Sequence, residues 1–147
     1  MIRYLVLAFV AIAALSVAQA APEKVNNVEI APGASVALVF YTADNCEWCA
    51  KWKAHGKADA VQWAEKAKFR YFEIGKPKIA QPYTSAHFPA DAKFAWQSLE
   101  AEQKFRFVIP RWVIFADGRK VIEGAGLYDW SRVSRFLNDV LEARDAK

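Results

Sequence analysis

The feature that most constrains this chain is an uncharged run, Val36 to Tyr41, that breaks into the short polar stretch Thr42 to Asn45 and then meets two cysteines, Cys46 and Cys49, in the order C-E-W-C. The run is β-branched and aromatic, which suits a strand covered on both faces of a sheet. Past the cysteines the residues change to the helix formers Ala, Lys, Trp and Glu. The expected order is strand, turn, C-x-x-C, helix, with Cys46 at or just before the helix N-terminus and Cys49 one turn on. Two thiols at that spacing close a small ring with little backbone movement, and the ring opens as readily. Unpaired backbone N–H groups and the helix dipole favour a negative sulfur at Cys46. Cys46 is therefore expected to be an accessible nucleophile and Cys49 a deeper resolving thiol, exchanging disulfides with protein thiols through a mixed-disulfide intermediate.

Other uses of a C-x-x-C pair have to be weighed against this one. A metal-binding module would use Cys46 and Cys49 with His55 and His87; their spacing fits no compact zinc pattern and each His reads as a surface or loop residue, so this module stays as an alternative while no metal ligand and no other cofactor is expected. Haem attachment needs a His after the second cysteine, and Ala50 stands there. A non-enzymatic binding module with a purely structural disulfide stays open, and a reduction potential would separate it from an exchanging pair. The chain carries a formal net charge of +4, with no long basic run and with Lys and Glu interleaved along its helical stretches. That pattern describes solvated faces and argues against nucleic acid as a partner.

Residues Met1 to Ala20 carry a lone base, Arg3, an uncharged apolar stretch from Tyr4 to Val17, and the small-x-small site Ala18-Gln19-Ala20. This reads as a secretory signal peptide cut before Ala21, since the apolar stretch is shorter than the roughly 20 residues of a spanning helix. The expected place of the protein is the periplasm or another space where disulfides persist, with membrane contact only through the signal. What remains, residues 21–147, is enough for one domain with one core.

Along that domain, Ala21 to Gly33 reads as a surface lead-in with a short edge strand at Val25 to Ile30. The helix after the cysteines is expected to bend at Gly56 and resume over Ala58 to Lys68. Phe69 to Ile74 alternates as a second core strand. Gly75 to Ala90 holds Pro77, Pro82 and Pro89 and must be a long loop, either part of a partner-binding rim or an inert excursion. Asp91 to Lys104 reads as a helix with Asp91 as its cap. Trp112 to Phe115 and Lys120 to Glu123 flank Asp117-Gly118, a strong hairpin signal. Pro110 stands at the entrance to the hairpin, where a trans bond is the default for X–Pro. In the closing stretch Val133, Phe136, Leu137, Val140 and Leu141 follow the i, i+3, i+4, i+7, i+8 pattern of a helix packed on a sheet by one face. Trp63, Trp96, Trp112 and Trp130 are read as packing.

C-E-W-C after an apolar strand, Ile109-Pro110 opening a hairpin with Asp117-Gly118 at its turn, and a terminal amphipathic helix together resemble the thioredoxin superfamily over most of Val36 to Ala143. The resemblance implies an α/β fold: a single thioredoxin-like domain with a central mixed β-sheet flanked by helices, ending in a β-hairpin and an amphipathic helix. It implies a thiol-disulfide oxidoreductase with Cys46 and Cys49 as catalytic pair. Pro110 would be cis beside the cysteines, and the backbone of Ile109 would bond an extended partner segment. Trp48, beside the nucleophile, is expected to be exposed and to touch partners, or else to fold onto Trp52 or the loop. Exported proteins of this kind are supplied with electrons by a membrane-bound thiol reductase, and the acidic Glu47 and small single domain lean toward a reductant. The chain also departs from the family. Glu47-Trp48 replaces Gly-Pro between the cysteines, Asn45 stands where a Trp usually precedes them, and Phe40 holds the position of the buried Asp. Arg111 follows Pro110 where Thr is common, and is expected to lie near the thiols and favour the Cys46 thiolate while Glu47 acts in the opposite sense.

Overall fold

The structure is a computed structural model that describes residues 23–126 and 130–147. The signal-peptide reading falls on residues outside these.

Eight consecutive buried residues form the central strand β3 (Val36–Ala43), two longer than the apolar run alone suggests, because Thr42 and Ala43 still pair with the neighbouring strand. β4 (Arg70–Lys76) lies parallel to it on one side; on the other lies antiparallel β5 (Arg111–Ala116), followed by β6 (Arg119–Ala125), giving the order β4-β3-β5-β6. Asp117 and Gly118 join β5 to β6 with φ of 48° and 74°. Two successive positive φ values make the tight turn whose twist matches that of its strands, as the Asp-Gly pair predicts. The lead-in is not one edge strand but a hairpin of its own, β1 (Glu23–Val25) and β2 (Val28–Ile30), because Asn26 and Asn27 both adopt positive φ.

Among the described residues four α-helices flank the sheet: α1 (Glu47–His55), α2 (Lys57–Ala67), α3 (Lys93–Ala101) and α4 (Trp130–Asp145). α3 is shorter than its sequence pattern, and Asp91 is not its cap. A separate 3₁₀ turn takes Ala90–Ala92, and the helix starts from Ala92 without a side-chain cap.

Side chains of β3 alternate between two cores. Val36, Leu38 and Phe40 face a cluster built with Trp52, Trp112, Ile114 and the buried stripe Val133, Leu137, Val140 and Leu141 of α4. Ala37, Val39, Tyr41 and Ala43 face the other, with Tyr83, Phe88, Leu99, Val113 and Phe115. A strand buried on both faces is the reason no charge occurs along it. This single α/β domain, with helices on both sides of a mixed sheet, is the architecture the resemblance implies.

Candidate active site

β3 delivers the chain to the site, and α1 begins there. Cys46 is the N-cap of α1, in extended conformation with φ −106° and ψ 110°, and its Sγ accepts a hydrogen bond of 3.1 Å from the backbone N–H of Cys49. The two sulfurs are joined in a disulfide across a Cα–Cα distance of 5.2 Å. A helix N-terminus leaves its first N–H groups without intrahelical acceptors, so a sulfur at the cap is bonded by one of them and sits at the positive end of the helix dipole.

Cys46 is 4% exposed and Cys49 1%. Cys49 is the deeper of the two, as its place on the inner side of α1 requires. Cys46 is less open than expected: it packs in the second core together with Ala43 and Ile109 instead of standing clear of the surface.

The Ile109–Pro110 bond is cis, which corrects the trans default and agrees with what the resemblance implies. Ile109 shares the apolar cluster of the cysteines, and the carbonyl of Pro110 accepts from the N–H of Gly126. Arg111, directly after it, is 8% exposed and pairs across strands with Tyr41. Its guanidinium is ion-paired with Glu123 on β6 and lies 4.9 Å from the ring centre of Phe107. Its charge is thus held by a carboxylate on its own face of the sheet, where it was expected to act on the thiolate. Burial tends to raise the Glu123 carboxyl, but Arg111 and Lys120 more than offset it and hold it below the usual carboxylate range.

Trp48 is 47% exposed on the first turn of α1, with the ammonium of Lys51 4.0 Å over its ring, and Lys51 also pairs with Glu47 at 3.1 Å. The acidic residue between the cysteines is therefore partly neutralised by its own helix.

Phe40 lies in the first core, on the other face of β3 from the cluster that holds the cysteines. Its ring stacks on Trp52 with centroids 3.8 Å apart and an interplanar angle of 4°. In the parallel register Phe40 lies opposite Glu73 of β4, so a carboxylate reaches this level of the sheet from the adjacent strand. Glu73 bridges Lys53 of α1 at 3.2 Å and Lys57 of α2 at 2.9 Å. Burial raises its carboxyl and the two ammonium groups lower it further, leaving it low overall. Beside it Trp52 Nε1 donates to the Tyr71 hydroxyl at 3.2 Å.

The long loop after β4 belongs to the site. The N–H of Ile79 donates to Asn45 Oδ1 at 2.8 Å, fastening the loop to the residue before Cys46. Tyr83 is buried, donates its hydroxyl to the Thr42 carbonyl at 2.8 Å, and its N–H bonds the carbonyl of Phe105 at 2.9 Å. Its ring stacks with Phe107 at 5.2 Å. One tyrosine thus joins the end of β3, the loop and the segment leading to Pro110. Lys76, 2% exposed, donates to the Gln81 carbonyl at 2.5 Å and lies 4.4 Å from the Tyr83 ring centre. Burial, and then Arg106, depress its ammonium below the usual lysine range. Tyr83, Lys76 and Glu73 were not singled out from sequence. A Tyr in a proline-rich loop and a Lys at the end of an apolar strand are the only signals they leave there.

Among the described residues no group of three or more His, Cys, Asp or Glu is placed to hold a metal ion, and no helix is long and apolar enough to cross a membrane.

No protein-family model and no curated protein matches the chain. Solved structures do. Thioredoxin f2 of Chlamydomonas reinhardtii matches with 13% identity over 78% of this chain and 83% of that one, at a TM-score of 0.47. A mutant thioredoxin of Halobacterium salinarum matches with 24% identity over 77% of each chain, at 0.45. The periplasmic thioredoxin SoxS of Paracoccus pantotrophus, in reduced form, matches with 12% identity over 74% of this chain and 98% of that one, at 0.47. The similarity is one of fold. The strand order and connections of the chain itself are those of a thioredoxin-like domain.

Proposed function

We propose that the chain is an exported thiol-disulfide oxidoreductase acting on protein partners, with Cys46 as nucleophile and Cys49 as resolving thiol. The observation that carries this reading is the Cys46 sulfur at the cap of α1, bonded by the Cys49 N–H, in one apolar cluster with Ile109 next to a cis Pro110. In the reducing direction, the Cys46 thiolate attacks one sulfur of a partner disulfide. That S–S bond breaks, a mixed disulfide forms, and the first partner sulfur leaves as a thiolate that takes a proton from water. The Cys49 thiolate then attacks Cys46 Sγ, expels the second partner sulfur and closes the Cys46–Cys49 bond. Two electrons pass to the partner. Returning the pair to the dithiol needs a dithiol donor, and for a periplasmic protein that donor is a membrane-bound thiol reductase. Trp48, Ile109, Pro110 and Arg111 form the partner-binding side: Trp48 as an apolar contact, Ile109 through its backbone, Pro110 by shaping that backbone, and Arg111, its charge balanced by Glu123, by holding the start of β5 beside it.

The variant Cys49→Ser is expected to accumulate stable mixed disulfides with partners, because the captured sulfur can no longer be displaced, while Cys46→Ser captures none. Equal trapping by both removes the assignment of roles.

A second reading has its own observation: with 4% and 1% exposure both sulfurs are nearly covered, as in a structural bond. The reduction potential decides between them. A structural disulfide lies below about −300 mV, and an exchanging pair lies above it.

A further inference from the structure

Four large hydrophobic side chains are exposed among the described residues: Trp48, Val61, Ile79 and Val108, the last 69% so. Val61 is on α2. The other three come from separate segments that meet at the disulfide. Trp48 lies between the cysteines, Ile79 is tied by its N–H to Asn45, and Val108 directly precedes Ile109 and the cis Pro110. Water around three such side chains is released when something apolar covers them.

The same rim is flanked by cations. Lys78 and Arg106 are exposed neighbours of Ile79 and Phe107 in sequence, and Lys76 lies buried beneath, its ammonium against the Tyr83 ring. Arg106 is brought to this side by the Tyr83 N–H bond to Phe105 and by the stacking of Phe107 on Tyr83. The acids on these loops are Asp44, exposed, and Glu47, which is held by Lys51. Among the described residues of these segments the balance is positive.

We propose that this rim selects a partner segment in which the reacting cysteine is flanked by apolar residues and by an acidic residue, the apolar side chains covering Trp48, Ile79 and Val108 and the carboxylate facing Lys78 and Arg106. The inference rests on the oxidoreductase reading for the cysteine it assigns to the partner; the preference for apolar and acidic sequence is tested apart from any electron transfer. Exposed charge pairs are individually weak, so two together are expected to change affinity about three- to tenfold, and the preference should shrink as salt is raised.

Heptapeptides with one central residue and apolar neighbours serve as probes, in an acidic and a basic version. In the first measurement the central residue is Ser, the peptide carries a fluorophore, and anisotropy titration against the full chain gives the ratio of the two affinities. In the second the central residue is Cys in a peptide disulfide, and the reduced protein is mixed with it in a single turnover. One peptide disulfide becomes two thiols as Cys46–Cys49 closes. The expected result is tighter binding and faster reduction of the acidic peptide, with the ratio collapsing or inverting in the double variant Lys78→Glu/Arg106→Glu. The affinity of both peptides should fall in Ile79→Ser/Val108→Ser. The charge variant is read as a ratio of two peptides, so a partial loss of folded protein, which lowers both affinities alike, does not mimic its result; for the apolar variant a urea midpoint equal to the parent's shows that the fold is kept. Equal affinities in the unsubstituted chain, or a preference that survives the charge reversal, overturn the proposal. Selective binding without any peptide reduction leaves this surface standing and removes the redox reading instead.

Discussion

Gly56 shows how tightly single residues hold the site's geometry. Its φ of −118° is ordinary for any residue, so conformational freedom is not why glycine stands there. A Cβ at that position would strike the indole of Trp52, whose face is already stacked on Phe40. The glycine lets α1 end and α2 start with no gap over a fully buried tryptophan. Gly56→Ala is expected to destabilise the domain by about 1–3 kcal/mol, the usual cost of overpacking a filled core. Urea unfolding measures it, and an unchanged midpoint would show that the Trp52 ring has room to yield. Arg111 illustrates the converse at this scale. Its charge was legible in sequence, but its partner was not, because Glu123 is brought to it by the β5–β6 hairpin.

The elements themselves were largely readable. Val36 to Tyr41 announced β3 because a strand covered on both faces has no place for charge, and Asp117-Gly118 announced the hairpin because that turn demands two positive φ values. The cis bond at Pro110 was legible only through resemblance, since no local signal distinguishes it from the trans default. The cover over Cys46 is not legible in sequence for a related reason: C-x-x-C spacing places the sulfur at a helix cap, and the tertiary cluster it shares with Ala43 and Ile109 decides how far it is covered. The long loop gave the least away. Its prolines exclude a continuous helix or a central strand, though β4 runs on to Lys76 and a 3₁₀ turn forms at Ser85–His87, and they say nothing of what it packs on. That depends on Tyr83, whose hydroxyl reaches back to the Thr42 carbonyl. Tyr83→Phe keeps the ring and its stacking on Phe107 and removes this bond. A loss of about 0.5–1.5 kcal/mol is expected, together with faster amide exchange at Ile79, whose N–H bond to Asn45 depends on the loop staying in place. Unchanged exchange at Ile79 would mean that the Asn45 bond alone holds the loop.

Across the whole molecule two carboxylates tie helices and strands together on opposite faces of the sheet. Glu73 joins β4 to both α1 and α2 through Lys53 and Lys57, and Glu123 joins β6 to β5 through Arg111. For each, burial works against ionisation and the neighbouring cations prevail, so the folded state holds the carboxyl below its usual range. A group lowered in the folded state binds fewer protons there than in the unfolded chain. Its contribution to stability is complete above the unfolded value, about 4.3 for glutamate, and is lost as pH falls through the lower folded value. Acid therefore weakens the link between the cysteine-bearing helix and the sheet while the core is still apolar and filled. The net charge of +4 at pH 7 grows as carboxylates are protonated, so self-repulsion adds to the loss in every variant. Comparing Glu73→Gln with the parent chain isolates the one group. The variant leaves Lys53 and Lys57 without their shared counter-charge, so it should be less stable at pH 7, and its free energy of unfolding should fall less steeply between pH 5 and pH 3. The two curves should converge at the acid end, where the parent's Glu73 is itself neutral. Urea titrations at stepped pH measure this, and parallel curves would show that Glu73 has the same proton affinity folded and unfolded, the Lys53 and Lys57 contacts doing no more than cancel the effect of burial.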